Sequence, residues 1–166
     1  MITIISASNR DDNNTLKVSR EYERILQEKN ITVQVLSLAE RAVFQRDEEF
    51  LKMEKNFLIG ADSFIIIMPE YHGSYPGILK LMIDNADVKN CFWHKKVLLT
   101  GVSTGRAGNL RGMEHLTGSL LHMKMKVHFN RLPLSRVDTL MDNDNHFTDA
   151  PTLNIIEQQL DEFLAF

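Results

Sequence analysis

The feature that most constrains the fold of this chain is a repeated alternation between short apolar runs and amphipathic helical patterns. The run SFIIIM, residues 63–68, is apolar almost throughout, which is typical of a strand covered on both faces. Further strands are predicted at residues 2–6, 32–38, 96–102 and 126–132. Strand and helix alternate five times along the chain. This alternation predicts one parallel sheet with helices on both faces.

The helices are recognised by apolar side chains that recur with helical period. The residues that carry these patterns are Val18, Tyr22, Ile25 and Leu26, then Phe50, Leu51, Phe57, Leu58 and Ala61, then Met113, Leu116, Leu120 and Met123, and finally Leu153, Ile156, Leu160 and Phe163. A further helix is opened by Pro76 and Gly77. Five strands favour the order 2-1-3-4-5 over a six-stranded dinucleotide fold. We predict a flavodoxin-like α/β sandwich of three layers, with residues 1–166 as a single domain.

Composition excludes several classes of function. The 166 residues carry a formal net charge of −3 without a block of like charge, so neither nucleic acid nor an anionic membrane is indicated as a partner. The single cysteine, Cys91, excludes an intrachain disulfide and a multi-thiolate metal site, and a structural role is expected for it. The six histidines show no metal-binding motif, so no metal is predicted. No apolar run approaches the ~20 residues of a membrane helix, and we expect a soluble, cytoplasmic protein.

Glycine and proline are concentrated in loops that follow predicted strands. Five of the eight glycines lie in PEYHGSYPG, residues 69–77, and GVSTGRAG, residues 101–108. In a parallel sheet the loops after the strands lie along one edge, and ligands bind in the crevice there. The loop ASNRDDNNT, residues 7–15, follows the first strand and lies on the same edge. Three unusual loops are therefore expected to converge on one crevice.

The first of these loops has the donors that an oxyanion needs. Its candidate ligands are Ser8, Arg10, Asn13, Asn14 and Thr15. The loop precedes a helix, whose N-terminus presents free N–H groups and partial positive charge. The glycine motifs of dinucleotide and Walker A sites are missing, so a monophosphate is favoured over a pyrophosphate. Alternatively Asn14 or Thr15 only caps the helix, and Asp11 and Asp12 oppose phosphate binding unless they point outward.

The two glycine-rich loops suit a flat ligand. Gly73 allows the backbone to pass close to a ring or to adopt positive φ, and Tyr71 and Tyr75 offer aromatic surface. Prolines at both ends reduce the freedom of residues 69–77, although a rigid connection without a ligand is an alternative. Residues 101–108 repeat the combination of small residues and hydroxyls. One loop for a phosphate and two for a planar ring system describe flavin mononucleotide, FMN.

The same residues resemble the NAD(P)H-dependent FMN reductases, flavodoxin-like enzymes that include quinone, azo-dye and chromate reductases. The family's first loop, roughly G-S-x-R-x-x-S-x-N, appears here as ASNRDDNNT. Its second, P-E-Y-N-G-S-x-P-G-x-L-K-N-x-I-D, appears as PEYHGSYPGILKLMID, and its third, S-x-G-x-x-G-G, as STGRAGN. Spacing and order agree from residue 1 to about residue 137. The chain departs from the family at His72, usually asparagine, at Asn13, usually serine, and at Asn109, usually glycine.

The resemblance implies an FMN site at the carboxyl edge of the sheet. In that site Ser8, Arg10, Asn13 and Thr15 hold the phosphate. Residues 69–73 line the isoalloxazine on one side and residues 103–106 on the other. The predicted cofactor-binding residues are Ser8, Arg10, Asn13, Asn14, Thr15, Pro69, Glu70, Tyr71, His72, Gly73, Ser103, Thr104, Gly105 and Arg106.

The resemblance also implies the reaction. NADPH or NADH passes hydride to FMN, and a small acceptor such as a flavin, a quinone or an azo dye then takes the electrons in a ping-pong mechanism. The flavin carries the chemistry, so no catalytic acid or base is assigned. Arg106 and Arg111 are candidates for contact with a phosphate of the nicotinamide nucleotide.

Two other classes of function stay open. One is a flavodoxin-type electron carrier, although such carriers are usually far more acidic than a net charge of −3 and lack the PEYxGSxPG loop. The other is a flavin-free scaffold of the same fold, for which the only support is the three departures at Asn13, His72 and Asn109.

The helix at residues 77–86 predicts self-association. Its apolar positions are Ile78, Leu79, Leu81, Met82, Ile83 and Ala86. They cover most of the circumference of the helix, so a second face needs cover beyond the sheet. A two-fold partner is the simplest cover, and the resemblance implies the same interface, with the crevice completed by the neighbouring chain. We predict a homodimer or a dimer of dimers, with Met82 on the outer face.

Overall fold

The computed structural model describes residues 1–40 and 43–166 of the chain. The strands are β1 (Ile2–Ser6), β2 (Val33–Ser37), β3 (Ser63–Pro69), β4 (Lys96–Val102), β5 (Lys126–Val127) and β6 (Leu132–Leu134). The helices are α1 (Asn14–Glu28), α2 (Glu48–Met53), α3 (Gly77–Asn85), α4 (Val88–Cys91), α5 (Leu110–His122) and α6 (Ala150–Ala165). Short 3₁₀ turns lie at Leu38–Glu40 and Val137–Thr139, and a π-helical segment lies at Glu54–Ile59.

The strands form one parallel sheet. Their order is β2-β1-β3-β4-β5, and β6 also pairs with β4. The predicted order 2-1-3-4-5 is thus confirmed. The chain reverses direction across the sheet between β1 and β3, which is where open α/β sheets bind ligands. Among the described residues, no helix is long and apolar enough to cross a membrane.

The sheet separates two hydrophobic layers. Consecutive strand residues point to opposite faces, so Ile4 packs in one layer and Ile5 in the other. Helices α1 and α6 cover the first layer, and α2, α3 and α5 cover the second. The apolar stripes predicted for α1, α5 and α6 face these layers, as the full burial of Tyr22, Leu116 and Leu160 illustrates.

The prediction of a single fifth strand over residues 126–132 is wrong. This segment forms two short strands, and both of them pair with β4. Val127 pairs with Val97 and Leu132 with Thr100, so β4 advances by three residues while the neighbouring chain advances by five. Two residues therefore bulge out between the strands, a device that bends an edge strand. The bulge leaves Phe129 76% exposed.

The predicted helix around Phe50 and Phe57 is also divided. Helix α2 ends at Met53, and the π-helical segment begins at Glu54. The buried Glu54 carboxylate accepts bonds from both Arg46 Nη atoms, at 2.7 and 2.9 Å, and from the Asp87 N–H at 2.6 Å. Burial and the neighbouring Glu54 raise the pKa of the Cys91 thiol to about 12, which agrees with the structural role expected for this cysteine.

Candidate functional site

A cavity of about 490 Å³ opens at the carboxyl ends of β1, β3 and β4. Its size is within the range of small-molecule sites, roughly 300–1,000 Å³. The predicted cofactor-binding residues that line it are Ser8, Arg10, Asn13, Asn14, Thr15, Pro69, Glu70, Tyr71, Ser103, Thr104, Gly105 and Arg106. The other two, His72 and Gly73, lie outside its lining. All three predicted loops therefore meet at one cavity.

The loop between β1 and α1 is joined to the loop after β3. The buried Ser8 hydroxyl accepts a bond from the Arg10 N–H at 3.2 Å and lies 2.9 Å from the Tyr71 hydroxyl. The Arg10 guanidinium lies over the Tyr71 ring, with its Cζ atom 4.4 Å from the ring centroid. Tyr71 was expected to offer surface to a flat ligand, and its hydroxyl also reaches the loop proposed for a phosphate.

Helix α1 is capped by Asn13, and neither of the two residues considered for this role, Asn14 and Thr15, caps it. The Asn13 Oδ1 atom accepts from the Leu16 N–H at 2.8 Å, and its Nδ2 donates to the Arg10 carbonyl at 2.6 Å. One end of this carboxamide is thus bonded to the first turn of α1 and the other to the loop. Asn13 shapes the loop that would surround a phosphate.

The two carboxylates of this loop are exposed at the rim of the cavity. Asp12 pairs with Lys17 at 3.0 Å, so its charge is balanced on the outside of α1. Asp11 has no ion pair among the described residues. The negative charge that opposed phosphate binding is therefore reduced by one neighbouring lysine.

The loop after β3 contains a tight turn. The Tyr71 N–H donates to the Ser74 carbonyl at 3.0 Å, and the Ser74 N–H donates back at 3.2 Å. The central residues, His72 and Gly73, have φ of 53° and 76°, which is the pattern of a type I′ turn. Asparagine is favoured in such positions, and histidine tolerates them. His72 is exposed at the tip of this turn. Its position is therefore explained by the conformation of the turn and requires no contact with a ligand.

The loop after β4 is closed by hydrogen bonds to the side chain of one of its own residues, Ser103. The Ser103 hydroxyl accepts from the Gly108 N–H and donates to the Gly105 carbonyl, both at 3.0 Å. The same Gly105 carbonyl accepts from the Arg136 N–H at 3.0 Å. A Cβ atom placed on Gly105 would meet nothing within 4 Å, so this part of the loop faces open space. These bonds tie the loop to itself and to Arg136, and they leave room beside it.

Sequence reasoning missed three apolar residues of the lining, which are Val102, Ala107 and Val137. Val102 ends a predicted strand and Ala107 lies within the third motif, so both could have been identified from their place in the chain. Val137 follows β6 and reaches the cavity because its N–H donates to the Ser103 carbonyl at 3.1 Å. No local sequence signal marks this long-range contact.

The donor set fits a phosphate monoester attached to a flat ring system. Ser8 and Arg10 offer a hydroxyl and a guanidinium beside the first turn of α1, where free N–H groups and the helix dipole favour an anion. Among the described residues, Arg10 and Arg106 have no carboxylate within ion-pair distance, so both guanidinium groups are free to bind an anion. FMN has both parts, and the residues present fit it.

Comparison with known proteins places this chemistry in a family. Residues 1–136 match the family described as NADPH-dependent FMN reductase. The chain is similar to the NADPH azoreductase of Bacillus sp. strain OY1-2, with 31% identity over 91 residues, which cover 55% of this chain and 51% of that protein. It is also similar to the FMN-dependent NADPH-azoreductase of Staphylococcus saprophyticus, with 31% identity over 113 residues, covering 61% and 60%. The chain spans about half to three fifths of the length of these curated relatives.

A solved structure shares the fold over nearly the whole chain. This is FerB, a flavoenzyme NAD(P)H:(acceptor) oxidoreductase from Paracoccus denitrificans, with a TM-score of 0.83 and 21% sequence identity. The match covers 99% of this chain and 94% of that one. At this level of identity the likeness establishes the fold alone.

Proposed function

The chain belongs to the NADPH-dependent FMN reductase family, whose cofactors are FMN and NAD(P)H, and on this premise we propose that it is an FMN-dependent NAD(P)H oxidoreductase. FMN, when bound, supplies hydride chemistry between a nicotinamide and a small acceptor in a ping-pong cycle. The observation that carries the proposal is the meeting of three family loops at one cavity whose arginines have no carboxylate partner among the described residues. The single domain over residues 1–166 and the cytoplasmic location stay predictions.

We assign the phosphate to the loop between β1 and α1. Ser8 donates a hydroxyl bond, Arg10 donates charge-assisted bonds, and the N–H groups of the first turn of α1 complete the shell. Asn13 keeps these donors in place because its carboxamide bonds both to the loop and to the helix. Thr15 is buried at the base of the loop and contributes shape there.

We assign the ring system to the space between residues 69–71 and residues 103–107. Pro69, Ala107 and Val137 give this space apolar surface against which a flavin ring would pack. Backbone N–H groups of residues 104–107 would supply donors to the ring edge, where negative charge develops on reduction. The chain's own contribution is thus orientation, desolvation and charge.

We propose that the acceptor is a small aromatic oxidant such as a quinone, a flavin or an azo compound. Two of the relatives are named azoreductases, which supports an azo compound as one candidate. The cavity is open on one side because Thr104, Gly105 and Arg106 are exposed, and a flat second substrate can approach there.

A spectroscopic titration tests the proposed function. The protein is titrated with FMN, then with NADPH or NADH under exclusion of oxygen, and finally with a panel of quinones and azo dyes. We expect bound flavin, rapid bleaching by a nicotinamide alone, and recovery of colour on addition of an acceptor. Bound flavin that no nicotinamide bleaches would identify an electron carrier, and failure to bind FMN would identify a flavin-free scaffold.

We also propose a homodimer through α3, with one correction to the expected geometry. Leu79, Met82 and Ile83 of this helix are buried in the core, so the prediction that Met82 lies on the outer face is wrong. Ile78 and Leu81 are only half-buried in the single chain, and they form the apolar part of the face that a partner would cover.

The dimer is tested by light scattering at micromolar concentration. Leu81→Glu should convert a dimer to monomers, because a charge would be placed in an apolar interface. Ile155→Glu is the matched control, since Ile155 is 47% exposed on α6, away from α3. A monomeric wild-type protein that binds FMN and reduces an acceptor would disprove the dimer and leave the proposed reaction intact.

A further inference from the structure

Asn109 occupies a backbone position that favours glycine. It is the N-cap of α5, it is fully buried, and its φ of 60° is in the left-handed region. The related motif S-x-G-x-x-G-G has glycine here, and glycine adopts this conformation without steric cost. Asparagine is the side chain that best tolerates the same φ. The substitution therefore adds a buried carboxamide without requiring a new backbone path.

The carboxamide of Asn109 does not cap its own helix. The other Asn and Asp residues at helix N-caps each accept a bond from an N–H in the first turn, and these are Asn13, Asp47, Asp87 and Asp149. Asn109 makes no such bond. Its Nδ2 atom donates instead to the Met68 carbonyl at 3.1 Å and to the Pro69 carbonyl at 2.8 Å. The side chain thus connects α5 to the last two residues of β3.

The end of β3 is where the ring-binding loop, residues 69–76, begins. Pro69 lines the cavity, so one of the two carbonyls that Asn109 holds belongs to the wall of the site. The far end of the loop lies against the same turn of α5, because a Cβ atom on Gly112 would come within 2.8 Å of the Tyr75 nitrogen. Both ends of the ring-binding loop therefore rest on the first turn of α5.

Two glycines make the space that Asn109 fills. A Cβ atom on Gly112 would lie 2.0 Å from the Asn109 Oδ1, and one on Gly101 would lie 2.9 Å from the Asn109 Cβ. The Oδ1 atom has no hydrogen-bond partner among the described residues, so the carboxamide acts here only as a donor. Because the carboxamide acts only as a donor, its bonds to β3 can be distinguished by substitution from a role in filling the space.

We propose that Asn109 is a positioning residue that clamps the ring-binding loop onto α5 and thereby sets the wall of the FMN site. Asn109 is not itself part of the phosphate loop or of the cavity lining, and it acts through Met68 and Pro69. Its effect on FMN rests on the proposed function, whereas its effect on the loop is a property of the protein without cofactor.

Two substitutions separate the donor from the shape. Asn109→Gly keeps the left-handed backbone and removes the carboxamide. Asn109→Asp keeps the shape and sets a carboxylate against two carbonyl oxygens, which repel it. Asn30 is the matched control, since its φ is 59°, it is exposed, and it follows α1 at the opposite edge of the sheet. Asn30→Gly and Asn30→Asp repeat the same chemistry where no clamp exists.

The first measurement is hydrogen exchange of residues 69–76 in the protein without FMN. We expect faster exchange of this segment in both Asn109 variants and no change in the Asn30 variants. The second is the FMN dissociation constant from quenching of flavin fluorescence. Asn109→Gly should raise it about tenfold, as expected for one lost buried donor, and Asn109→Asp should raise it further.

A pH series supplies a signature that a space-filling role lacks. At mildly acid pH the introduced carboxyl becomes protonated and donates to one of the two carbonyls, so FMN affinity should partly recover in Asn109→Asp. Other titrating groups also change FMN affinity with pH. Their contribution is measured in wild type, in Asn109→Gly and in the Asn30 variants.

The outcomes are distinguishable. Unchanged exchange of residues 69–76 in Asn109→Gly would overturn the clamp, whether or not FMN binds. Equal FMN affinity of the Gly and Asp variants at all pH values would overturn the donor role. A wild-type protein that does not bind FMN would contradict the proposed function, and hydrogen exchange would still decide the clamp. Should Asn109→Asp fail to fold, Asn109→Gly decides alone.

Discussion

Arginines in two regions of this molecule differ in how their charge is used. Away from the carboxyl edge of the sheet, each arginine among the described residues pairs with a carboxylate, at 2.9 Å in Arg20–Glu23, 2.8 Å in Arg24–Glu21, 2.7 Å in Arg46–Glu54 and 2.7 Å in Arg131–Glu114. At that edge the arginines have no carboxylate partner within the described ranges, and they are Arg10, Arg106, Arg111 and Arg136. The first two line the cavity, and the others flank it.

The paired region uses charge to hold the fold together. Burial alone would raise the pKa of Glu54, yet bonds from Arg46 and from the Asp87 N–H lower it below its usual value. Arg46 also donates to the Asn85 carbonyl at 2.6 Å, so it joins the π-helical segment to the end of α3. Because the Glu54 carboxylate neutralises its charge, Arg46 would attract an anionic ligand only weakly.

At the carboxyl edge of the sheet, no carboxylate among the described residues neutralises the charge of the four arginines. The arginines there are exposed, so water solvates them and the absence of an internal partner costs the fold little. An anion that enters the crevice meets guanidinium groups without first displacing a carboxylate. From this difference we propose that the arginines near the crevice serve binding, whereas the paired ones serve stability.

The largest expected effect comes from removing the donors of the phosphate loop. Ser8→Ala together with Arg10→Ala should raise the FMN dissociation constant at least about a hundredfold, because two bonds to a charged group are lost. Arg20→Ala on α1 is the control, as its charge is already paired with Glu23. Wild-type affinity in the double variant would show that the phosphate lies elsewhere.

The opposite result is expected at the paired Arg46. Arg46→Ala should lower the free energy of unfolding by about 2 kcal/mol, since the buried Glu54 loses its partner while part of the guanidinium is exposed. Denaturant unfolding measures this, and a parallel titration should give an unchanged FMN affinity. A large loss of FMN affinity with unchanged stability would break the proposed division between the two regions.

A smaller effect is expected from Arg106, which lines the cavity, and from Arg111, which flanks it. Arg106→Ala and Arg111→Ala should each raise the KM for NADPH by roughly three- to tenfold and that for NADH less, because the 2′-phosphate loses a charge-assisted contact. Melting temperature should not change. Arg131→Ala, which breaks a surface pair with Glu114, is the control. Equal increases for both nucleotides would exclude a role in 2′-phosphate recognition.

The smallest effect is expected at His72. His72→Asn should strengthen the type I′ turn, because asparagine favours the left-handed conformation, and should tighten FMN binding by about twofold through a better ordered loop. Flavin titration, reduction rate and the visible spectrum together measure the change. If all three are identical to wild type, the histidine is a bystander to the flavin.

Much of the fold was predictable because it depends on local periodicity. The bounds of β1 and β4 agree with their apolar runs, and the capped ends of α1 and α6 agree with their polar flanks. The division of residues 126–132 was not predictable, since the apolar pattern continues while the pairing with β4 slips by two residues. The inward face of α3 was equally hidden, because apolar residues surround that helix and no stripe marks the side of Met82.

The candidate site divides in the same way. By itself the sequence determined which loops carry hydroxyls, glycines and arginines, and their place after the strands put them at one edge, because parallel strands share a direction. Only the tertiary structure decided which groups are free. It used Asn13 as a cap, brought Val137 into the cavity, left Arg10 and Arg106 without a carboxylate partner among the described residues and directed the Asn109 carboxamide to β3. These outcomes depend on contacts between residues distant in the chain, and no local pattern encodes them.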